Sequence, residues 1–242
     1  MWIKFAGVTL GAVVAISCAH VAADEGSDFN VKVLAAVRTM PAGGGYDGSD
    51  ATKNLLPGAC SLTDQGLRVD ARQAKPSFCS GATYLVLLKA LGHGSEALLP
   101  VVDHQDGHGV FGRWNANGPG SAKLVADLRA GRNFTSWDEA RPGDFLKIWW
   151  TDRIGGRERG HLVVYLGHDA ESLRFWSSNQ PGGYGTKSVP RSDCRRVLFT
   201  RITRPDQFAA AGRLPAVDPW LARMLRDDFT WEEVVAKCDV AE

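Results

Sequence analysis

Hydrophobic and polar residues follow a helical period in the first half of the chain and a strand period in the second half. From Cys79 to Leu91 the large apolar residues recur at helical spacing, and Gly92 ends the pattern. Later runs rich in apolar, β-branched and aromatic residues, bounded by turns, are typical of strands over residues 145–150, 161–166, 173–177 and 197–202. The pattern predicts an α+β fold in which a helix precedes a small antiparallel sheet.

The remaining segments predict shorter elements and loops. Residues 31–37 suit a short helix or strand and residues 67–71 suit a strand, whereas residues 41–50 and 102–120 have the Gly-rich, polar composition of loops. A second helix is predicted over residues 121–130. The tail is predicted to be helical over residues 219–236, where Thr230 and Glu233 have the spacing of a capping box.

The N-terminal segment has the order of a secretory signal. Lys4 precedes an uncharged apolar run over residues 5–16, and Val21-Ala22-Ala23 supplies small residues before a cut after Ala23. The run is shorter than the roughly 20 residues that span a bilayer, although an uncleaved anchor and lipid attachment at Cys18 are alternatives. We expect an exported protein, periplasmic or secreted, with a signal peptide (1–23), a hydrolase domain (24–204) and a C-terminal helical extension (205–242).

Charge and hydropathy narrow the classes of partner. The formal net charge is +1 and no basic run stands out, which argues against a protein that binds nucleic acid or anionic membranes. After signal removal, no further stretch is long and apolar enough to be transmembrane. The oligomeric state is left open.

Four cysteines follow the predicted signal: Cys60, Cys79, Cys194 and Cys238. In an oxidising compartment an even number of cysteines first indicates two disulfides. If Cys79 is instead a free nucleophile, one bridge among the other three is compatible with it, and the sequence leaves their pairing open.

Cys79 has the position of a reactive thiol. Pro76 and Ser77 favour a helix start, which places Cys79 in the first turn. The helix dipole there favours a thiolate. Its backbone N–H is then a natural oxyanion donor. Gln73, six residues before the cysteine, and Tyr46 in the Gly-rich loop are further oxyanion candidates.

His161 is the predicted general base. It opens an alternating run that puts His161, Val163 and Tyr165 on one face of a strand. On the next strand the same alternation puts Ser177 and Asn179 on one face, where a neighbouring side chain can orient the imidazole. Asn179 is the predicted orienting residue and Ser177 the reserve. The alternatives are a histidine satisfied by a backbone carbonyl and an asparagine that only starts a turn.

Three motifs in this order carry a family resemblance: Phe78-Cys79-Ser80-Gly81, Arg141-Pro142-Gly143-Asp144-Phe145, and the run from Gly160 to Gly167. Together they resemble the nucleophile motif, the turn into the first sheet strand and the histidine strand of the NlpC/P60 cell-wall peptidases. The resemblance implies a papain-like α+β fold and cysteine-dependent hydrolysis of peptide or amide bonds in peptidoglycan, without a metal or organic cofactor. Phe78 replaces the family's usual aspartate, and Asn179 is more similar to the third residue of CHAP amidases and papain.

Two other functions compete with this hypothesis. Asp103, His104, Asp106 and His108 lie within six residues and could form a metal-dependent hydrolase site. Alternatively, the chain is a non-catalytic envelope protein in which Cys79 forms a disulfide.

Overall fold

The computed structural model describes residues 28–98 and 107–241 of this α+β protein. The predicted signal peptide and Cys18 lie outside the described residues, as do Asp103, His104 and Asp106. The α-helices are α1 (Phe29–Arg38), α2 (Asp50–Lys53), α3 (Leu55–Gly58), α4 (Cys79–Leu91), α5 (Gly109–Asn115), α6 (Gly120–Asp127) and α7 (Trp231–Lys237). Short 3-10 helices cover Ala71–Gln73, Ser95–Leu98, Arg191–Asp193, Pro205–Arg213 and Leu221–Arg223.

An eight-stranded mixed sheet forms the centre of the fold. The described residues form twelve strands: β1 (Gly43–Gly44), β2 (Cys60–Thr63), β3 (Gly66–Val69), β4 (Gly131–Phe134), β5 (Phe145–Trp149), β6 (Ile154–Gly155), β7 (Gly160–His168), β8 (Ser172–Asn179), β9 (Gly183–Pro190), β10 (Arg196–Ile202), β11 (Asp228–Phe229) and β12 (Val240–Ala241). Eight of them form the main sheet in the order β1-β9-β8-β7-β5-β10-β4-β12, antiparallel except for β12 beside β4. The sheet is therefore larger than the sequence predicts.

Helix α4 is confirmed with the predicted bounds and lies inside the protein. Leu85, Leu87 and Leu88 are fully buried, and the helix packs against α1, β7 and β8. A helix that is apolar on all sides is stable only when neighbours cover it, as here. This packing holds the N-terminus of α4, and with it Cys79, against the sheet.

The Arg-Pro-Gly-Asp turn before β5 contains a buried ion pair. Both carboxylate oxygens of Asp144 accept hydrogen bonds from Arg201, at 2.8 and 2.7 Å, and Asn30 of α1 donates another at 2.8 Å. Gly143 has a φ of +97°, and a Cβ there would lie 2.7 Å from the backbone oxygen of Asn30. The turn thus joins α1, β5 and β10.

The sheet is covered on both faces, and several elements differ from the predictions. Leu162 and Val164 pack with α4, whereas Val163 and Tyr165 pack into a second apolar cluster on the other face. Strands β4 and β9 were not predicted, since their sequences are short or polar and show little alternation. Helix α5 lies in a segment predicted to be a loop.

The C-terminal tail is not a continuous helix, and the prediction of one over residues 219–236 is wrong. Only Trp231–Lys237 is α-helical, with the predicted capping box between Thr230 and Glu233 present. Before it, β11 pairs with β6, and after it β12 pairs with β4 of the main sheet. The chain turns back instead of continuing as a helix because its apolar residues, among them Met224 and Val234, are buried against a common cluster.

Candidate active site

Cys79 is the first residue of α4. Phe78 precedes it as the N-cap in an extended conformation and forms no side-chain cap bond. The N–H groups of a first helical turn lack partners within the helix, and that of Cys79 meets the Tyr46 hydroxyl instead of a backbone carbonyl. This N–H therefore lies beside the thiol and next to the Tyr46 hydroxyl.

Gly81 is required by the packing of the helix start. A Cβ at this position would lie 2.8 Å from the Phe78 ring and 3.1 Å from Leu56. Glycine at this position thus leaves room for the aromatic ring of Phe78.

His161, at the start of β7, lies next to Asn179, at the end of β8. The Nε2 atom of His161 is 3.1 Å from Oδ1 of Asn179. The Asn179 amide nitrogen donates to the carbonyls of Ser177 and Gly185, at 3.2 and 2.8 Å, which sets the orientation of the amide. Oδ1 must then accept from Nε2–H, and this leaves the Nδ1 lone pair to serve as a base.

Ser177, the reserve orienting residue, has a different contact. Its hydroxyl donates to the carbonyl of Leu162 at 2.9 Å and is fully buried. It ties β8 to β7 one residue beyond His161 and so supports the strand that carries the imidazole.

Burial and the neighbouring His161 have opposite effects on the ionisation of the Cys79 thiol. Burial by itself raises the pKa of Cys79, but the hydrogen bond with His161 and the charge of His161 outweigh it, helped by the Leu162 N–H and the charge of Lys147. Together they lower the pKa from 9.0 to about 6. The thiolate is therefore the main form at neutral pH.

Tyr46 lies on the other side of the thiol. Backbone hydrogen bonds from Asp47 N–H to the Ser77 carbonyl (3.0 Å) and from Ser77 N–H to the Gly45 carbonyl (3.2 Å) hold its loop beside the start of α4. The Tyr46 hydroxyl is 3.9 Å from Cys79 Sγ. The negative charge of Cys79, together with burial, raises the pKa of Tyr46, so the phenol stays protonated and can donate.

Two adjoining clefts open at these residues. One of about 730 Å³ borders His161 and Asn179, and a smaller one of about 300 Å³ borders Cys79. Tyr46 lines both, so a ligand that spans them passes the thiol and the imidazole.

Of the other predicted site residues, the described ones, Gln73 and His108, line neither cleft. Gln73 has an exposed side chain beside Asp70. His108 is described just before α5, but its three predicted companions are not. Within residues 28–98 and 107–241, no three His, Cys, Asp or Glu side chains are grouped as a metal site requires.

The remaining cysteines are distinct from Cys79. All four cysteines of the described part of the chain are free thiols. Burial raises the pKa of Cys60 and of Cys194, each to about 11, and also raises that of Cys238. Among these four described cysteines, only Cys79 combines a lowered pKa with access to a cleft.

Four further residues line these clefts and were not predicted from the sequence: Lys147, Glu158, Arg159 and Lys187. Lys147 does interrupt an otherwise apolar strand, Phe-Leu-Lys-Ile-Trp, and a lysine in such a run is a signal that could have drawn attention to it.

In the described part of the chain, no helix has the length and hydrophobicity needed to cross a bilayer. Comparisons with models of known protein families, with curated proteins and with solved structures gave no match to this chain.

Proposed function

We propose that this chain is a cysteine hydrolase of papain-like fold that is exported and cleaves peptide or amide bonds in peptidoglycan. The observation that carries the proposal is the row Cys79, His161 and Asn179. A thiol with a pKa of about 6 faces an imidazole whose second nitrogen is held by an amide oxygen. Nucleophile, base and orienting group in this order are the parts that acyl transfer requires.

The mechanism follows from these contacts. The Cys79 thiolate attacks the carbonyl carbon of the scissile amide, and the resulting oxyanion accepts hydrogen bonds from the Cys79 N–H and the Tyr46 hydroxyl. His161, as imidazolium, donates its proton to the leaving nitrogen when the C–N bond breaks. It then removes a proton from water, which attacks the thioester and releases the acid product and the free thiolate.

The cleft beside His161 indicates the charge of the substrate. Arg159, Lys187 and Arg195 line it together with one exposed carboxylate, Asp193. Arg195 pairs with Asp152 at 2.7 Å, whereas Arg159 and Lys187 have no acidic partner among the described residues. A cleft wall with this excess of positive charge favours a substrate with carboxylates near the bond that is cut.

Digestion of purified muropeptides by the wild-type protein and by Cys79→Ala tests the proposal, with products resolved by chromatography and mass spectrometry. We expect cleavage by the wild type and its loss in Cys79→Ala. Cys60→Ala is the matched control, because it removes a half-buried thiol outside both clefts. Equal cleavage by Cys79→Ala and wild type would refute the assignment.

A further inference from the structure

A buried ion pair lies beside the candidate nucleophile. Lys147 is on β5, directly opposite Leu162 of β7, and is 8% exposed. Its ammonium lies 2.5 Å from Oε1 of Glu158, whose side chain is 3% exposed. Lysine and glutamate are almost never buried unless they are paired, so each of the two depends on the other.

Glu158 is held by more than this pair. Its carboxylate also accepts hydrogen bonds from the Gly118 N–H at 2.8 Å, the Trp149 indole at 2.9 Å and the Gly155 N–H at 3.0 Å. Burial raises its pKa, but the charge of Lys147 and these hydrogen bonds produce a net lowering. Glu158 is thus a fixed anion, surrounded by donors, that keeps the Lys147 ammonium in one position.

That position adjoins the catalytic groups. Lys147 and Glu158 line the Cys79 cleft. A Cβ at Gly160, the residue before His161, would lie 2.7 Å from the Lys147 Nζ. The charge of Lys147 acts on Cys79 and favours its ionised form, whereas Glu158 is not among the groups that shift the pKa of Cys79. The other titratable groups that face the thiol or line its cleft are Tyr46, Lys53 and His161.

Stability alone is a weak reason for such a pair. Taking two charges out of water costs about as much as their attraction returns, and apolar replacements of buried ion pairs are often neutral or stabilising. A buried cation beside a thiolate, in contrast, has a direct chemical use.

We propose that Lys147, held by Glu158, is a positioning residue whose ammonium stabilises the thiolate of Cys79. The proposal rests on the function proposed above, in which Cys79 is the nucleophile. It assigns the pair to the reactivity of the thiol, and not to substrate contact.

The test is the rate of alkylation of Cys79 by iodoacetamide between pH 5 and pH 9, with the site identified by mass spectrometry. The other thiols react slowly in this range because burial raises their pKa values. In Lys147→Gln, which keeps a donor for Glu158 but removes the charge, we expect the pKa of Cys79 to rise by about one unit and the rate at pH 6 to fall roughly fivefold. In Lys147→Arg, which keeps the charge, we expect a profile near that of the wild type. Lys53→Met is the matched control, because it removes a cation from the rim of the same cleft.

Glu158→Gln separates the negative charge of Glu158 from its hydrogen bond to Lys147. The Gln amide oxygen still accepts a hydrogen bond from the Lys147 ammonium, whereas the negative charge is removed, so the pKa of Cys79 should stay at or below the wild-type value. This variant also keeps the proposal testable if Lys147→Gln does not fold. The proposal is wrong if folded Lys147→Gln titrates like the wild type, or if Glu158→Gln raises the pKa as Lys147→Gln does. Alkylation does not depend on turnover, so failure to cleave muropeptides would refute the proposed function while leaving this result readable.

Discussion

The Nε2 atom of His161 lies 3.1 Å from Oδ1 of Asn179, and the Asn179 amide nitrogen is bound to two backbone carbonyls. The antiparallel pairing of β7 with β8, in which Val164 lies opposite Trp176, brings the start of β7 beside the end of β8, where His161 and Asn179 lie. The sheet itself therefore sets the tautomer of the imidazole, because the amide cannot turn its oxygen away without losing both carbonyl contacts.

Replacement of Asn179 by Ala tests this relationship. Hydrogen bonds to charged groups contribute about 1.5–3 kcal/mol, so the loss should lower kcat/KM by roughly 10- to 100-fold. Ser177→Ala is the control, since it removes a neighbouring hydrogen bond to the Leu162 carbonyl. We expect Ser177→Ala to lower the free energy of unfolding and to have a smaller effect on kcat/KM. Similar losses of kcat/KM in both variants would contradict a specific role for Asn179.

The pH dependence of the reaction should follow Cys79. Its pKa of about 6 predicts that kcat/KM rises through pH 6 and falls about tenfold for each pH unit below it. The lowered pKa also affects stability. Because the pKa of Cys79 in the folded state is below the ordinary value, the thiolate adds most to the free energy of unfolding above pH 9, and this contribution is lost as the pH falls to 6. The difference in unfolding free energy between wild type and Cys79→Ala should therefore grow from pH 6 to pH 9. A constant difference would show that the thiol is not ionised at neutral pH.

Tyr46→Phe should lower kcat with little change in KM. The variant removes a hydroxyl that lies 3.9 Å from the thiol and is placed to donate to the oxyanion, while the ring remains. Removal of one oxyanion donor from other hydrolases costs about 10²–10³-fold in kcat, and we expect a loss approaching that range. Tyr184→Phe is the control, because its hydroxyl binds the Ala74 carbonyl instead. A rise in KM alone would assign Tyr46 to substrate binding.

The sequence sufficed for the parts of the site that depend on local patterns. Helical spacing located α4 with Cys79 at its start, and strand alternation put His161 and Asn179 on facing strands. Ser177 could not be separated from Asn179 in this way, since residues two apart share a face. Only the observed hydrogen bonds distinguish them.

Other parts depend on contacts between segments far apart in sequence. Lys147 is the one charged residue in an apolar strand, and only the burial of both sheet faces shows that its side chain is buried. Glu158 reaches it across the turn between β5 and β7. Tyr46 lies in a Gly-rich loop whose position is set by backbone hydrogen bonds to Ser77. No local sequence pattern predicts these bonds.

Charge reversal in the cleft beside His161 should select against acidic substrates. We expect Arg159→Glu with Lys187→Glu to raise KM for a muropeptide with free carboxylates by about tenfold, because two favourable charge interactions of up to about 1 kcal/mol each become repulsive. The effect should shrink as salt is added. Arg174→Glu is the control, since this exposed arginine next to Phe175 lies outside both clefts. Equal KM values for acidic and amidated substrates in the wild type would refute the charge preference.

The buried ion pair of Asp144 with Arg201 stabilises the fold around the site. Asp144→Ala should lower the free energy of unfolding by about 3–5 kcal/mol, because it leaves the Arg201 guanidinium buried without its anion. Asn30 also loses its acceptor, which loosens the contact of α1 with the sheet. Thermal and denaturant unfolding measure the loss. Asp152→Ala is the control, since it breaks an exposed pair with Arg195 and should change stability little. Comparable stability of the two variants would show that the buried pair does not hold the turn into β5.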